Sequence, residues 1–113
     1  MLLLYLKYLV NIATVITGVF SLFWPLKVQE FTGLIVNGGR GITEIRTILG
    51  ALFIGLGVTA QIYNQKQTYA MLGIMYLAMA LVRGISIIVD KSAVSSNIIS
   101  FAIELIFGLI LMV

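Results

Sequence analysis

The chain has 113 residues, of which 61% are hydrophobic and only 10% are charged, and its mean hydropathy is +1.15. Soluble domains average roughly half apolar and a quarter charged residues, so this composition argues against a soluble fold and predicts a single integral membrane domain over 1–113. The net charge of +3 forms no basic run, which excludes nucleic acid as an expected partner, and without Cys or His we expect no metal and no cofactor.

The first predicted span covers 6–24. It ends at the sequence WPLK, where Trp24 suits the membrane interface and Pro25 disfavours continuation of the helix. No basic residue precedes its first apolar run, and no small-residue cleavage site follows it. We therefore expect a retained span rather than a cleaved signal peptide.

The segment 26–45 is too polar to cross a membrane easily and too apolar for a free linker. Its positions at helical spacing are Val28, Phe31, Thr32 and Ile35. This spacing predicts a short helix in the membrane interface, and the glycines of NGGRG then predict a flexible turn. A partly ordered connector is the alternative.

Three further spans are predicted at 45–63, 68–89 and 97–113, each close to the length of about 20 residues that a bilayer requires. The predicted fold class is therefore all-α: a four-transmembrane-helix bundle with a short interfacial segment between helices 1 and 2. Four basic residues lie towards the 1–2 and 3–4 connections and two lie towards the other side. This bias favours those two connections in the cytoplasm.

Each predicted span carries polar or small residues three or four positions apart, which places them on one helical face. Small residues allow membrane helices to approach closely, and hydroxyl and amide groups bond across the contacts. The residues assigned to helix packing are Gly50, Gly55, Gly57 and Gly108. The supporting polar residues are Asn11, Thr14, Thr47, Ser86, Asp90 and Ser100.

Two charged residues are expected inside the spans at matching depth. Arg83 lies seven residues before Asp90, and Glu104 lies seven residues after Asn97. A rise of 1.5 Å per residue puts both roughly 10 Å from the same membrane face. Because a charge at that depth pairs or faces a wet cavity, we expect these two to meet, with Glu44 and Arg46 as second partners. The cluster is either a structural clamp or the floor of a binding site.

These charged positions also carry a resemblance. The stretches TEIRTILGALFIGLG, LVRGISIIVDK and AIELIFGLILMV, with the upstream pattern G-x-x-x-LFWP, resemble a bacterial family of small four-helix integral membrane proteins. That family is catalogued as a domain of unknown function and is DoxX-like in layout. The match touches nearly the whole chain through short, mostly apolar motifs. The positions carried over by the resemblance are Glu44, Arg46, Gly50, Arg83, Asp90 and Glu104.

The chain departs from the family pattern at two positions. Ala51 stands where a second glycine is common, and Lys91 follows Asp90 where glycine is usual. The resemblance implies the architecture and a bacterial cytoplasmic membrane, and it implies no activity.

Three functions remain open from the sequence. The cluster binds or helps transport a small solute, ion or lipid headgroup; the protein is a structural or accessory subunit of a larger membrane complex; or it is a DoxX-like membrane enzyme or redox helper. No hydroxyl has a histidine base, so the sequence supports no catalytic residue. Expected partners are membrane lipids, a small-molecule ligand, and a homo-oligomer or larger membrane complex.

Overall fold

A computed structural model describes residues 1–113 and contains five helices and no strand. The helices are α1 Leu2–Phe23, α2 Pro25–Thr32, α3 Gly39–Tyr63, α4 Lys66–Val89 and α5 Ser95–Met112. All except α2 are long and apolar enough to cross a membrane. The predicted all-α fold class with four such helices is therefore confirmed, and a short helix does separate the first two of them.

The helices begin earlier than the apolar pattern predicts. α1 starts at Leu2 instead of residue 6, and α3 starts at Gly39 instead of residue 45. The flexible turn predicted at NGGRG is wrong for most of its length, because the helix already begins at Gly39, and only Asn37 and Gly38, which has φ of +84°, precede it. The Gly38 carbonyl already accepts a hydrogen bond from the Ile42 N–H. A helix requires these backbone hydrogen bonds and does not require apolar residues. The prediction from apolar residues therefore missed the polar first turn of α3.

α2 is held at both ends. Pro25 occupies its first turn, where the missing N–H costs nothing, and Gly33 ends it with φ of +79°. The Gln29 side-chain carbonyl then accepts a hydrogen bond from the Val36 N–H at 2.8 Å, which folds the connector back. Ile35 lies beyond the helix and is 92% exposed, so its predicted place on the helical face is wrong.

Residues 11–63 form one compact unit, in which α1 packs against α3 through glycines. A Cβ at Gly18 would lie 2.6 Å from the Gly50 carbonyl oxygen, and one at Gly57 would lie 2.9 Å from the Asn11 carbonyl oxygen. Such distances leave no room for a side chain. Gly55 differs from the packing role predicted for it, because no atom lies within 4 Å of its Cβ position.

The helical register of α3 changes at Ile45–Ala51, which is π-helical. Hydrogen bonds between residues five apart widen this segment, so Ile45 and Gly50 are the residues that it buries. The prediction that Thr47 shares the face of Gly50 assumed 3.6 residues per turn and is wrong, since Thr47 is exposed.

Residues 1–10 and 64–113 form the second compact unit, in which α4 and α5 run antiparallel. A Cβ at Gly73 would lie 3.0 Å from the Leu111 Cβ, and Tyr76 and Phe107 meet edge to face with ring centroids 5.5 Å apart. Farther along, Gly84 faces the Phe101 ring. This continuous contact fixes which α4 residues lie opposite which α5 residues, and so positions the charged site.

Candidate ligand site on α4 and α5

Arg83 of α4 and Glu104 of α5 form a bidentate ion pair. The Arg83 Nε donates to Glu104 Oε1 at 2.8 Å, and Nη2 donates to Oε2 at 2.8 Å. This planar match is the strong form of an arginine–carboxylate contact. The predicted meeting of these two residues, which rested on their matching depth, is therefore found in the structure.

The two partners differ in exposure. The Glu104 side chain is 7% exposed, whereas the Arg83 side chain is 33% exposed. The carboxylate is therefore enclosed between the helices with both oxygens bonded to the guanidinium. The Arg83 side chain, in contrast, is only partly enclosed.

Asn97, in the first turn of α5, completes the cluster. Its side-chain carbonyl accepts a hydrogen bond from Arg83 Nη1 at 2.9 Å, and its Nδ2 donates to the Ser92 carbonyl and to the Ser92 hydroxyl oxygen at 3.0 and 3.1 Å. From the sequence, Asn97 marked the start of the helix and lay on its polar face with Glu104, but it was not predicted as a partner of Arg83. Its spacing of seven from Glu104, two helical turns on one face, was the signal that could have identified it.

The α4–α5 connector is tied to this cluster. The Ser92 hydroxyl also donates to the Ser86 carbonyl at 3.4 Å, and the Ser92 N–H donates to the Ile87 carbonyl at 3.1 Å. Lys91 precedes it with φ of +50°, in the left-handed region that favours glycine. Asp90 ends α4 and accepts a hydrogen bond from the Ser86 hydroxyl at 2.5 Å. The connector is therefore bonded to the helix end on one side and to Asn97 on the other.

An open groove of about 540 Å³ lies beside the exposed edge of Arg83. It combines three polar side chains with three apolar ones. The lining residues are Ala78, Met79, Val82, Arg83, Ser86 and Asn97. The apolar members precede Arg83 in α4, so the polar end of the groove lies towards the α4–α5 connector and the apolar end lies deeper along the span.

The other predicted cluster members lie in the unit formed by residues 11–63. Glu44 is bonded to Arg40, whose Nη1 donates to Glu44 Oε1 at 2.8 Å, and both side chains are more than half exposed. Arg46 is exposed. Arg40 was not predicted as a partner, although a spacing of four within one helix was the available signal. Joining Glu44 and Arg46 to Arg83 and Glu104 stays a prediction.

The predicted supporting polar residues differ in burial and in their hydrogen bonds. Asn11 and Thr14 are buried, and the Asn11 Nδ2 donates to the Gln61 side-chain carbonyl at 3.1 Å. The Ser100 hydroxyl donates to the Ser96 carbonyl at 2.9 Å within α5. Ser86 alone among the predicted supporting residues lines the groove beside Arg83.

No family model, no curated protein and no solved structure matches this chain. The resemblance to a DoxX-like family therefore stays a prediction. The chemistry of the site is interpreted from its own groups: a buried carboxylate, a guanidinium held by it and by Asn97, and a groove that is polar at one end and apolar at the other.

Proposed function

We propose that this protein is an integral protein of the bacterial cytoplasmic membrane that binds an amphipathic molecule in the groove on α4 and α5. The ligand's polar group lies at Arg83 and its apolar part lies along Ala78, Met79 and Val82. The observation that carries the proposal is that Arg83, which lies within a helix long and apolar enough to span a membrane, lines this groove and has a side chain that is one third exposed.

The reason is energetic. Placing an arginine within a membrane-spanning helix costs about 2.5–3.5 kcal/mol even on scales from insertion experiments. An ion pair that only joined two helices would cost least if the protein enclosed both of its side chains. In this pair Glu104 is sealed and Arg83 is not. The ion pair does join α4 to α5, and the open edge of the guanidinium adds a polar contact for a molecule in the groove.

The test uses a substitution that fills the groove and leaves the ion pair in place. In Val82→Trp the indole occupies the groove beside Arg83, because Val82 lines it. The matched control is Leu81→Trp, which adds the same ring one position away on a surface outside this groove. Both residues are about two-thirds exposed, so both variants are expected to fold.

Binding is measured by native mass spectrometry of the purified protein in detergent with single-chain oleoyl amphiphiles of neutral, zwitterionic and anionic head. We expect at least one of them to bind the parent and the Leu81→Trp protein alike, and to bind Val82→Trp at least about tenfold more weakly, a loss of 1.4 kcal/mol. Equal binding to all three proteins, or binding to none, would overturn the proposal.

A further inference from the structure

The groups that line the groove also specify the ligand's head. Resting on the proposed function, we infer that the site selects an uncharged, hydroxyl-bearing head, of the glycerol or sugar type, over an anionic one. The inference follows from a count of the hydrogen-bonding groups that remain unused around Arg83 and from the charge of the site.

Arg83 keeps two of its donors. A guanidinium has five N–H groups, and three of them donate to Glu104 and to Asn97. Nε is fully used, so Nη1 and Nη2 each retain one N–H. Because Arg83 lines the groove and its side chain is one third exposed, these two donors are the ones it can offer to a molecule there.

Asn97 offers the groove no donor, although its carbonyl keeps one lone pair as an acceptor. Its Nδ2 donates to two Ser92 oxygens, and its carbonyl accepts from Arg83. Ser86 gives its hydroxyl hydrogen to Asp90, which leaves the Ser86 oxygen as an acceptor. The groove therefore presents two donors from Arg83 and acceptor oxygens on Ser86 and Asn97, and Arg83 and Ser86 lie three residues apart on one helical face.

A hydroxyl group fits this combination because it both accepts and donates a hydrogen bond. It can accept from an Arg83 N–H and donate to the Ser86 oxygen. A carboxylate or a fully ionised phosphate has no hydrogen to donate, so it would leave the Ser86 oxygen unpaired. An ester carbonyl has the same deficiency.

The net charge around Arg83 is a second reason why the groove would not select an anionic head. The Arg83 guanidinium is neutralised by the Glu104 carboxylate at 2.8 Å. The next charges towards the connector are Asp90 and Lys91, which also cancel by count. An anion would lose its hydration in the groove and gain no net opposite charge in return, whereas an uncharged head loses much less.

The ligand's orientation follows from the lining. Met79 precedes Arg83 by one helical turn, about 6 Å deeper along α4 at 1.5 Å per residue, and Ala78 lies slightly deeper still. An apolar chain fits that end. A membrane-derived hydroxylated amphiphile is therefore favoured over a free polyol, which would leave the deeper end without an apolar partner.

The experiment measures binding of four probes to the purified protein by native mass spectrometry and, for free glycerol, by isothermal titration calorimetry. The probes are monooleoylglycerol, oleoyl lysophosphatidate, methyl oleate and glycerol. We expect monooleoylglycerol to bind at least about tenfold more tightly than the lysophosphatidate, and at least about fivefold more tightly than methyl oleate, the range that one hydrogen bond supplies. Ser86→Ala should remove most of the preference over methyl oleate. Ser100→Ala, whose hydroxyl bonds within α5, should keep it.

The outcomes separate this inference from the proposed function. Tighter binding of the lysophosphatidate that is lost in Val82→Trp would overturn the inference and leave the proposed function standing. Equal binding of methyl oleate and monooleoylglycerol would also overturn it. If glycerol bound as tightly as monooleoylglycerol, the preference for hydroxyl groups would be supported, but the ligand would be a free polyol and not a lipid. Binding of every probe unchanged by Val82→Trp would overturn both proposals.

Discussion

The ion pair between Arg83 and Glu104 is asymmetric at the level of single residues. Glu104 is enclosed and both of its oxygens are bonded to Arg83, so the carboxylate depends on its partner entirely. Arg83 has a second acceptor in Asn97 and an exposed edge. Removing one member of a buried pair leaves a charge without compensation, which costs far more than the pair contributes.

We therefore expect Arg83→Gln to lower the free energy of unfolding by about 3 kcal/mol, because it strands the Glu104 carboxylate between the helices. The double substitution Arg83→Gln with Glu104→Gln should recover most of this loss, since two amides can bond to each other without a buried charge. Unfolding of the detergent-solubilised protein by sodium dodecyl sulfate, followed by circular dichroism, measures both.

The control for this pair is Arg40→Gln. Arg40 and Glu44 form an ion pair at the same distance of 2.8 Å, but both side chains are more than half exposed. An exposed pair is worth about 0–1 kcal/mol, so this variant should unfold close to the parent. A double variant as unstable as Arg83→Gln alone would show that the stranded Glu104 carboxylate is not the cause of the loss.

Asn97 connects the ion pair to the α4–α5 connector, and its removal should loosen the connector first. Asn97→Ala deletes the two hydrogen bonds to Ser92 and the acceptor for Arg83 Nη1. The Ser92 N–H donates to the Ile87 carbonyl and the Val94 N–H to the Ser92 carbonyl. These two amides should then exchange at least about tenfold faster, because the free energy needed to open the connector falls by about 1.4 kcal/mol.

Hydrogen–deuterium exchange read by mass spectrometry on peptides covering residues 86–97 measures this change. Ser100→Ala is the control, because its hydroxyl bonds only within α5. Unchanged exchange of the connector in Asn97→Ala would show that the hydrogen bonds to Ser92 do not hold it.

How much of the site the sequence could predict depended on the physical quantity that each prediction used. Depth along a helix is a one-dimensional quantity, so counting inward from Asp90 and Asn97 sufficed to pair Arg83 with Glu104. Whether a third residue accepts a hydrogen bond from the guanidinium depends on the length and direction of its side chain. Asn97 was therefore not predicted as a partner of Arg83. Glu44 was assigned to the cluster of Arg83 and Glu104, and its bond to Arg40 within the same helix was not predicted.

At the scale of the helices, apolar length located all four long elements, because a continuous apolar segment of that length has few alternatives. Periodicity failed within α3, where the π-helical turns at Ile45–Ala51 interrupt the spacing of 3.6 residues. A face drawn through Thr43, Thr47 and Gly50 assumes a uniform helix. No residue in that stretch indicates the change of hydrogen-bonding pattern, so the exposure of Thr47 could not be predicted from the sequence.

Two glycines in α3 offer a matched test of helix packing. At Gly57 an added Cβ would lie 2.7 Å from a Val15 methyl group and 2.9 Å from the Asn11 carbonyl oxygen, which is backbone and cannot turn aside. At Gly55 nothing lies within 4 Å. The two positions are two residues apart in the same helix and differ chiefly in this contact.

We expect Gly57→Ala to destabilise the protein by about 1–3 kcal/mol, as overpacking of a close contact does. Gly55→Ala should be neutral or stabilising by up to about 1 kcal/mol, because alanine has the higher helix propensity. Unfolding in sodium dodecyl sulfate compares them directly. Equal stability of the two variants would mean that the contact between α1 and α3 adjusts to a methyl group at no cost.

At the scale of the whole molecule, we expect all four long helices to span the membrane, with the α1–α3 connection and the α4–α5 connector on one side and the α3–α4 turn on the other. Lys27, Arg40 and Lys91 belong to the first side, with Arg46 in the early turns of α3. Lys7 and Lys66 belong to the second. Basic residues near the ends of spans favour the cytoplasm, so we expect the first side, and with it the polar end of the Arg83 groove, to face the cytoplasm.

The chain has no cysteine, so single cysteines report sidedness without background. We expect Ile35→Cys and Ala93→Cys to resist a membrane-impermeant maleimide in cells with a permeable outer envelope and an intact cytoplasmic membrane, and to react in inverted vesicles. Gln67→Cys should show the reverse, because it lies in the first turn of α4, at the opposite end of that helix from the α4–α5 connector. All three positions are exposed, so reactivity depends on sidedness and not on burial. Labelling of Ala93→Cys in intact cells would place the open end of the groove outside the cytoplasm, and a ligand drawn from the cytoplasmic leaflet would then be excluded.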